Sequence, residues 1–94
     1  MSDDNVISRR LRIANIKGLH ARASAKLVET VESFDGEAIV AKDGLEAGGD
    51  SIMGLLMLAA SEGTTIDVET RGPEAKALMD AIDALVAGKF GEES

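Results

Sequence analysis

The chain has no cysteine, tryptophan or tyrosine, and only one histidine, one proline and two phenylalanines. Without thiols there is no disulfide to staple the fold and no thiolate for a metal. With one histidine besides, a structural zinc site is not expected. No apolar run approaches the roughly 20 residues of a membrane span, so membrane insertion is not expected either. Basic residues are outnumbered, 10 Lys and Arg against 17 Asp and Glu, for a net charge of −7. Such an acidic surface repels a nucleic-acid backbone. It suits solubility and association with positively charged protein partners. The opening Met1-Ser2-Asp3-Asp4-Asn5 lacks the basic start and apolar centre of a secretory leader, and the expected address is the cytoplasm. The chain has 94 residues, 45% of them apolar, and no internal repeat or linker. That is one domain around one modest core.

Residues 1–5 read as a loose tail, and Ile7 to Ile13 alternate as a strand with one buried side, Arg9 interrupting its inner face. A first helix is predicted over about Ala21 to Ser33, with Leu27, Val28, Val31 and Phe34 as its apolar stripe and Ala21 and Ala25 as small residues beneath. Lys26, Glu29 and Glu32 then face water, Ser24 sits on the helix surface or else hydrogen-bonds near His20, and Asp35-Gly36 gives a left-handed stop. Glu37 to Ala41 and Leu45 to Ala47 form a hairpin across Asp43-Gly44, both of which tolerate positive φ.

A second helix starts near Ser51, with Asp50 or Ser51 as N-cap, and closes at Ser61-Glu62-Gly63. Its residues are apolar all round. Helical spacing turns Ile52, Leu55, Leu56 and Ala59 inward and leaves Met53 and Met57 partly exposed, either as a docking surface or as ordinary gap fillers. Thr64 to Thr70 alternate as a fourth strand. The last helix starts at Gly72-Pro73 and buries Ala75, Leu78, Met79, Ile82, Leu85 and Val86. Asp80 and Asp83 lie on its solvated face, Gly88 ends it, and Lys89 to Ser94 fray.

The chemistry concentrates in Gly18-Leu19-His20-Ala21-Arg22. This stretch joins a strand to a helix, so His20 falls at or beside a helix start. A helix start leaves backbone N–H groups unpartnered and carries partial positive charge, which makes it a ready anion site. A neutral imidazole is a nucleophile, and Arg22 adds a fixed-charge fork for phosphate oxygens. The residues read as a histidine that accepts a phosphoryl group and holds it. A lone histidine is, against this, more commonly a surface or cap residue without chemistry.

The pentapeptide resembles the active-site signature of HPr, the histidine-containing phosphocarrier of the phosphoenolpyruvate-dependent phosphotransferase system. Asp50-Ser51-Ile52-Met53-Gly54-Leu55 resembles the regulatory-serine helix of the same family. The likeness spans roughly residues 5–88, taken as the ordered core of a single domain over 1–94. It implies an α+β, HPr-like open-faced β-sandwich of order β-α-β-β-α-β-α, with a four-stranded antiparallel sheet covered on one face by three helices.

The resemblance also implies that His20 takes a phosphoryl group on Nδ1 from phosphorylated enzyme I and passes it to a histidine of an enzyme IIA. Arg22 offsets the charge, and the backbone N–H groups of Ala21 and Arg22 cradle the oxygens. No metal or cofactor is required, and the protein is a carrier rather than an independent enzyme. Ser51 matches the serine modified by HPr kinase/phosphorylase. Ile52, Met53, Leu56 and Met57 are the expected partner-docking residues, and a monomer is expected, because one face must serve alternating partners. Many family members have proline after the arginine, where this chain has Ala23. The Ala23-Ser24-Ala25-Lys26 variant is similar to alphaproteobacterial HPr proteins, often tied to a nitrogen-related regulatory branch. The alternative is therefore a regulatory binding module that signals by its phosphorylation state. A metabolite-binding domain fits less well, since the chain has no glycine-rich phosphate loop.

Overall fold

The computed structural model describes residues 6–94. The tail expected over residues 1–5 lies outside the described residues. The elements follow the order β1 (Val6–Arg12), α1 (Ala21–Glu32), β2 (Glu37–Lys42), β3 (Leu45–Gly48), α2 (Ile52–Met57), β4 (Thr65–Arg71) and α3 (Ala75–Ala87), then a 3₁₀ turn (Lys89–Gly91). The strands form one antiparallel sheet in the order β1-β4-β2-β3. Three helices cover one face of it, the open-faced sandwich that the sequence suggested.

Alternation decides which side of each strand is buried. Leu11 pairs with Ile66, and Val40 pairs with Val68 on one side and Ala47 on the other. All five are buried, and they meet Leu27, Leu55, Leu78, Met79 and Ile82 from the helices. The hairpin turns through Asp43 (φ 53°) and Gly44 (φ 84°), as the dipeptide requires.

Several expectations are corrected. Arg9 shares the inner face, but its guanidinium reaches past the core to Asp80 at 2.9 Å and Asp83 at 3.0 Å. Those aspartates are therefore partners of β1 and not idle surface charges. On α1, Ala21 is exposed while Ala23 and Ser24 are buried. Ser24 tolerates burial because its hydroxyl donates to the Leu19 carbonyl at 3.2 Å. Lys26 does not simply face water: its ammonium donates to the Phe90 carbonyl at 2.6 Å. The helix stops at Ser33, whose N–H donates to the Thr30 carbonyl at 3.2 Å, while the Phe34 N–H donates to that of Val31 at 3.3 Å. Gly36 is not left-handed; a Cβ there would lie 2.9 Å from the Arg71 carbonyl oxygen, so glycine permits the loop before β2 to approach the end of β4 closely.

Helix α2 is shorter than expected, because Ala59 turns left-handed (φ 52°) and redirects the chain. Leu58 and Ala60 are buried and Ile52 and Ala59 are exposed, against the inward placement of Ile52 and Ala59 read from spacing. Helix α3 begins after Pro73, not at it, with Glu74 at the N-cap. The Glu74 N–H is committed to the Asp35 carbonyl at 2.9 Å, and its carboxylate accepts from the Asp35 N–H at 2.6 Å. Leu85 is only partly buried. The chain does not fray after Gly88: Phe90 is fully buried and the backbone turns through it at φ 56°. No helix among the described residues is long and apolar enough to cross a membrane.

Candidate functional site

The loop from β1 to α1 is anchored at both ends. Ile13 N–H donates to the Thr64 carbonyl at 2.9 Å, and Leu19 N–H donates to the Ala60 carbonyl at 2.9 Å. Between them Gly18 sits at φ +64°, where a Cβ would come 2.3 Å from the Ala60 carbonyl oxygen. Only glycine fits that approach. The segment leaving α2 thus presses on the turn that delivers His20.

His20 is the N-cap of α1. Its backbone is extended (φ −75°, ψ −179°) and its carbonyl accepts the first helical bond, from Ser24 N–H at 2.8 Å. The ring Nδ1 accepts from the Arg22 N–H at 3.3 Å. One nitrogen of the imidazole therefore faces the electropositive first turn, with its lone pair turned toward backbone donors. The side chain keeps 25% of its surface exposed. A neutral ring that accepts at Nδ1 carries its proton on Nε2. Nε2 lies against Oε2 of Glu92, from the tail expected to fray.

Glu92 is held on its other oxygen. Oε1 accepts from Asn15 Nδ2 at 3.0 Å, and the same amide donates to the Gly18 carbonyl at 2.9 Å. The bond to His20 and then that from Asn15 hold the Glu92 carboxyl below its ordinary value against the opposing effect of burial, with Lys17 adding attraction. Asn15 is fully buried, and its Oδ1 finds no partner among the described residues.

Arg22 is exposed, and its guanidinium forms no ion pair among the described residues. It lines an open groove beside the ring with Ile16, Lys17, Glu92, Glu93 and Ser94. Ala21 occupies the exposed first position of α1. Ser51 stands at the start of a different helix, α2, where its hydroxyl accepts from the Gly54 N–H at 3.0 Å. Of the expected docking residues, Ile52, Met53 and Met57 are exposed and Leu56 is half-buried. No cluster of His, Asp and Glu among the described residues is arranged to hold a metal.

Sequence reasoning missed Asn15, Lys26 and Glu92. The available signal was Phe90, a large apolar side chain in a polar tail between Gly88 and Gly91. A phenylalanine there needs a place in the core, and its neighbours go with it.

The fold and site define an open-faced sandwich whose lone histidine caps a helix and turns one ring nitrogen toward backbone donors. The family model for the PTS HPr component phosphorylation site matches residues 7–88. The phosphocarrier protein HPr of Cupriavidus necator is 44% identical over 87 residues, covering 93% of this chain and 98% of that protein. The phosphocarrier protein NPr of Shewanella violacea is 42% identical, covering 94% of this chain and 97% of that protein. The crystal structure of HPr-C-His from Thermoanaerobacter tengcongensis superposes with a TM-score of 0.89 at 33% identity, covering 94% and 99% of the two chains. The chain belongs to the HPr family of phosphocarrier proteins of the phosphotransferase system.

Proposed function

We propose that His20 is the residue that carries the phosphoryl group, taking it on Nδ1 from phosphorylated enzyme I and giving it to a histidine of an enzyme IIA. The observation that carries this reading is the cap: Nδ1 stands 3.3 Å from the Arg22 N–H at the start of α1. The Nδ1 lone pair forms the new N–P bond while the donor's P–N bond breaks toward the donor. The first-turn N–H groups near Ala21 and Arg22 then meet the phosphoryl oxygens, and the Arg22 guanidinium offsets their charge. Phosphoryl transfer passes through a loose transition state, so alignment and electrostatics carry the rate. No further base is needed, since the nucleophilic nitrogen already bears its lone pair.

On this reading the protein is a single-domain, cytoplasmic, monomeric carrier and not an independent enzyme. Ala23 in place of the family's common proline is fully buried beneath the first turn, so packing supports the start that proline would otherwise constrain. The test is incubation with phosphoenolpyruvate and enzyme I, followed by intact mass. A phosphate-sized, acid-labile gain that is absent in His20→Ala is expected. No gain, where a known carrier is labelled, would overturn the assignment.

Ser51 is the regulatory position on the same reading, and Ile52, Met53, Leu56 and Met57 are the docking surface. Met53 and Met57 expose 70% and 72% of their surface, which favours docking over gap filling. Phosphate on Ser51 would place negative charge beside that apolar patch and weaken association with enzyme I. A Ser51→Asp protein labelled at the wild-type rate would speak against it. A relative named NPr stands almost as near as one named HPr, 42% against 44% identity. That favours a second reading, in which a nitrogen-related branch uses the phosphorylation state as a binding signal.

A further inference from the structure

We infer that Glu92 is a positioning residue for the His20 imidazole: its carboxylate holds the ring proton on Nε2 and so keeps Nδ1 as the bare nitrogen at the start of α1. This rests on the carrier reading and adds a residue to it.

The contact is built, not incidental. Phe90 is fully buried and fixes the tail to the core. Its carbonyl accepts from the Lys26 ammonium at 2.6 Å, and that lysine belongs to α1, the helix His20 caps. Three successive residues, Lys89, Phe90 and Gly91, take left-handed backbone at φ 59°, 56° and 79°. The tail is thereby reversed, and Glu92 N–H closes on the Lys89 carbonyl at 2.9 Å. Non-glycine residues adopt that backbone only where surrounding contacts enforce it. At the far end the carboxylate is clamped. Oε2 meets Nε2 of His20, Oε1 takes the Asn15 amide proton, and only 14% of the side chain is exposed.

The chemistry follows from where the proton stays. When Nδ1 forms its bond to phosphorus, the ring keeps the Nε2 proton and becomes a phosphoimidazolium. Positive charge grows on the ring, and the Glu92 carboxylate faces it. On donation the Nδ1–P bond breaks, its electron pair returns to Nδ1, and the Nε2 proton again stays. No proton leaves in either direction. A carboxylate that orients an imidazole through its second nitrogen is a general device for fixing tautomer and ring direction.

The test compares wild type, Glu92→Ala and Glu92→Gln as full-length proteins, with two measurements. The first is nitrogen-15-resolved NMR of the unphosphorylated imidazole. In the wild type, a slowly exchanging proton on Nε2 is expected; in Glu92→Ala it exchanges with water and its signal is lost. In Glu92→Gln, whose amide oxygen still accepts from Nε2–H, the signal is retained. The second measurement is the rate of labelling by phosphorylated enzyme I. Glu92→Ala should be slower by about tenfold, the lower end of what removing such an orienting partner costs. Glu92→Gln should recover part of the rate. A Glu92→Ala protein labelled as fast as wild type overturns the inference while leaving the carrier reading intact. A slowed rate with the Nε2–H signal unchanged also overturns it. Wild-type protein that takes no label overturns the carrier reading itself.

Discussion

Two helix starts in this molecule are built alike, yet only one is assigned the phosphoryl group that the carrier passes on. At α1 the His20 ring accepts from the Arg22 N–H at 3.3 Å; at α2 the Ser51 hydroxyl accepts from the Gly54 N–H at 3.0 Å. Both caps satisfy one of the donors that every helix leaves open. The difference lies in what else touches the capping group. Around His20 a buried asparagine, a lysine-tethered tail and a carboxylate converge from distant parts of the chain. At Ser51 the contacts are local: its hydroxyl accepts from the Gly54 N–H and its own N–H donates to the Gly48 carbonyl at 3.1 Å. Capping alone does not make a nucleophile that takes up and passes on a phosphoryl group. A nucleophile with its second nitrogen already engaged, facing open donors with the first, provides the geometry for one.

The comparison can be broken hardest at Phe90. Phe90→Ala empties a fully buried site and should cost about 3–5 kcal/mol in denaturant unfolding. It should also free Glu92 from His20, so the Nε2–H signal is lost along with stability while the Ser51 cap is untouched. A variant whose His20 spectrum is unchanged would show that the tail does not depend on that anchor.

Gly18→Ala acts on the other side of the ring. The added Cβ would sit 2.3 Å from the Ala60 carbonyl oxygen at a left-handed backbone. A cost of about 1–3 kcal/mol is expected, with displacement of His20 and slower labelling. Full stability in this variant would contradict the close approach.

Ser51→Ala sharpens the contrast by removing a cap and nothing more. About 1 kcal/mol is expected from thermal or denaturant unfolding, and the labelling rate should stay near wild type. Ser51→Asp keeps a good capping oxygen, so its effect should fall on labelling and not on stability.

The smallest effect concerns pH. His20 and Asn15 hold the Glu92 carboxyl below its ordinary value. A group depressed in the folded state contributes stability above its unfolded value, about 4.3 for glutamate. That contribution is lost as pH falls through the lower folded value. Wild type should therefore exceed Glu92→Gln in stability near neutral pH, with the gap closing as pH drops below about 4.3. The Ser51 cap has no titrating partner in its hydrogen bond, so Ser51→Ala should show a pH-independent deficit over the same range.

The same contrast explains what could be read without coordinates. Local signals were enough for the His20 start, the Asp43-Gly44 hairpin, the alternation of β4 and the buried stripe of α3, because each depends on neighbours within a few residues. Contacts distant in sequence could not be read that way. Glu92 lies 72 positions from His20, and Asp80 and Asp83 lie 71 and 74 from Arg9. Nothing in a polar GKFGEES tail marks its glutamate as a partner for a particular ring. Helix α2 misled for a different reason: in a run apolar all round, helical spacing fits more than one inward face, and the left-handed Ala59 that follows it is of a residue type that rarely adopts that backbone.

The most direct test is to locate the phosphate within the ring. Protein labelled with nitrogen-15 histidine and phosphorylated through enzyme I should show phosphorus coupled to Nδ1 of His20, with the proton retained on Nε2. Phosphorus on Nε2, or on any residue other than His20, would contradict the account.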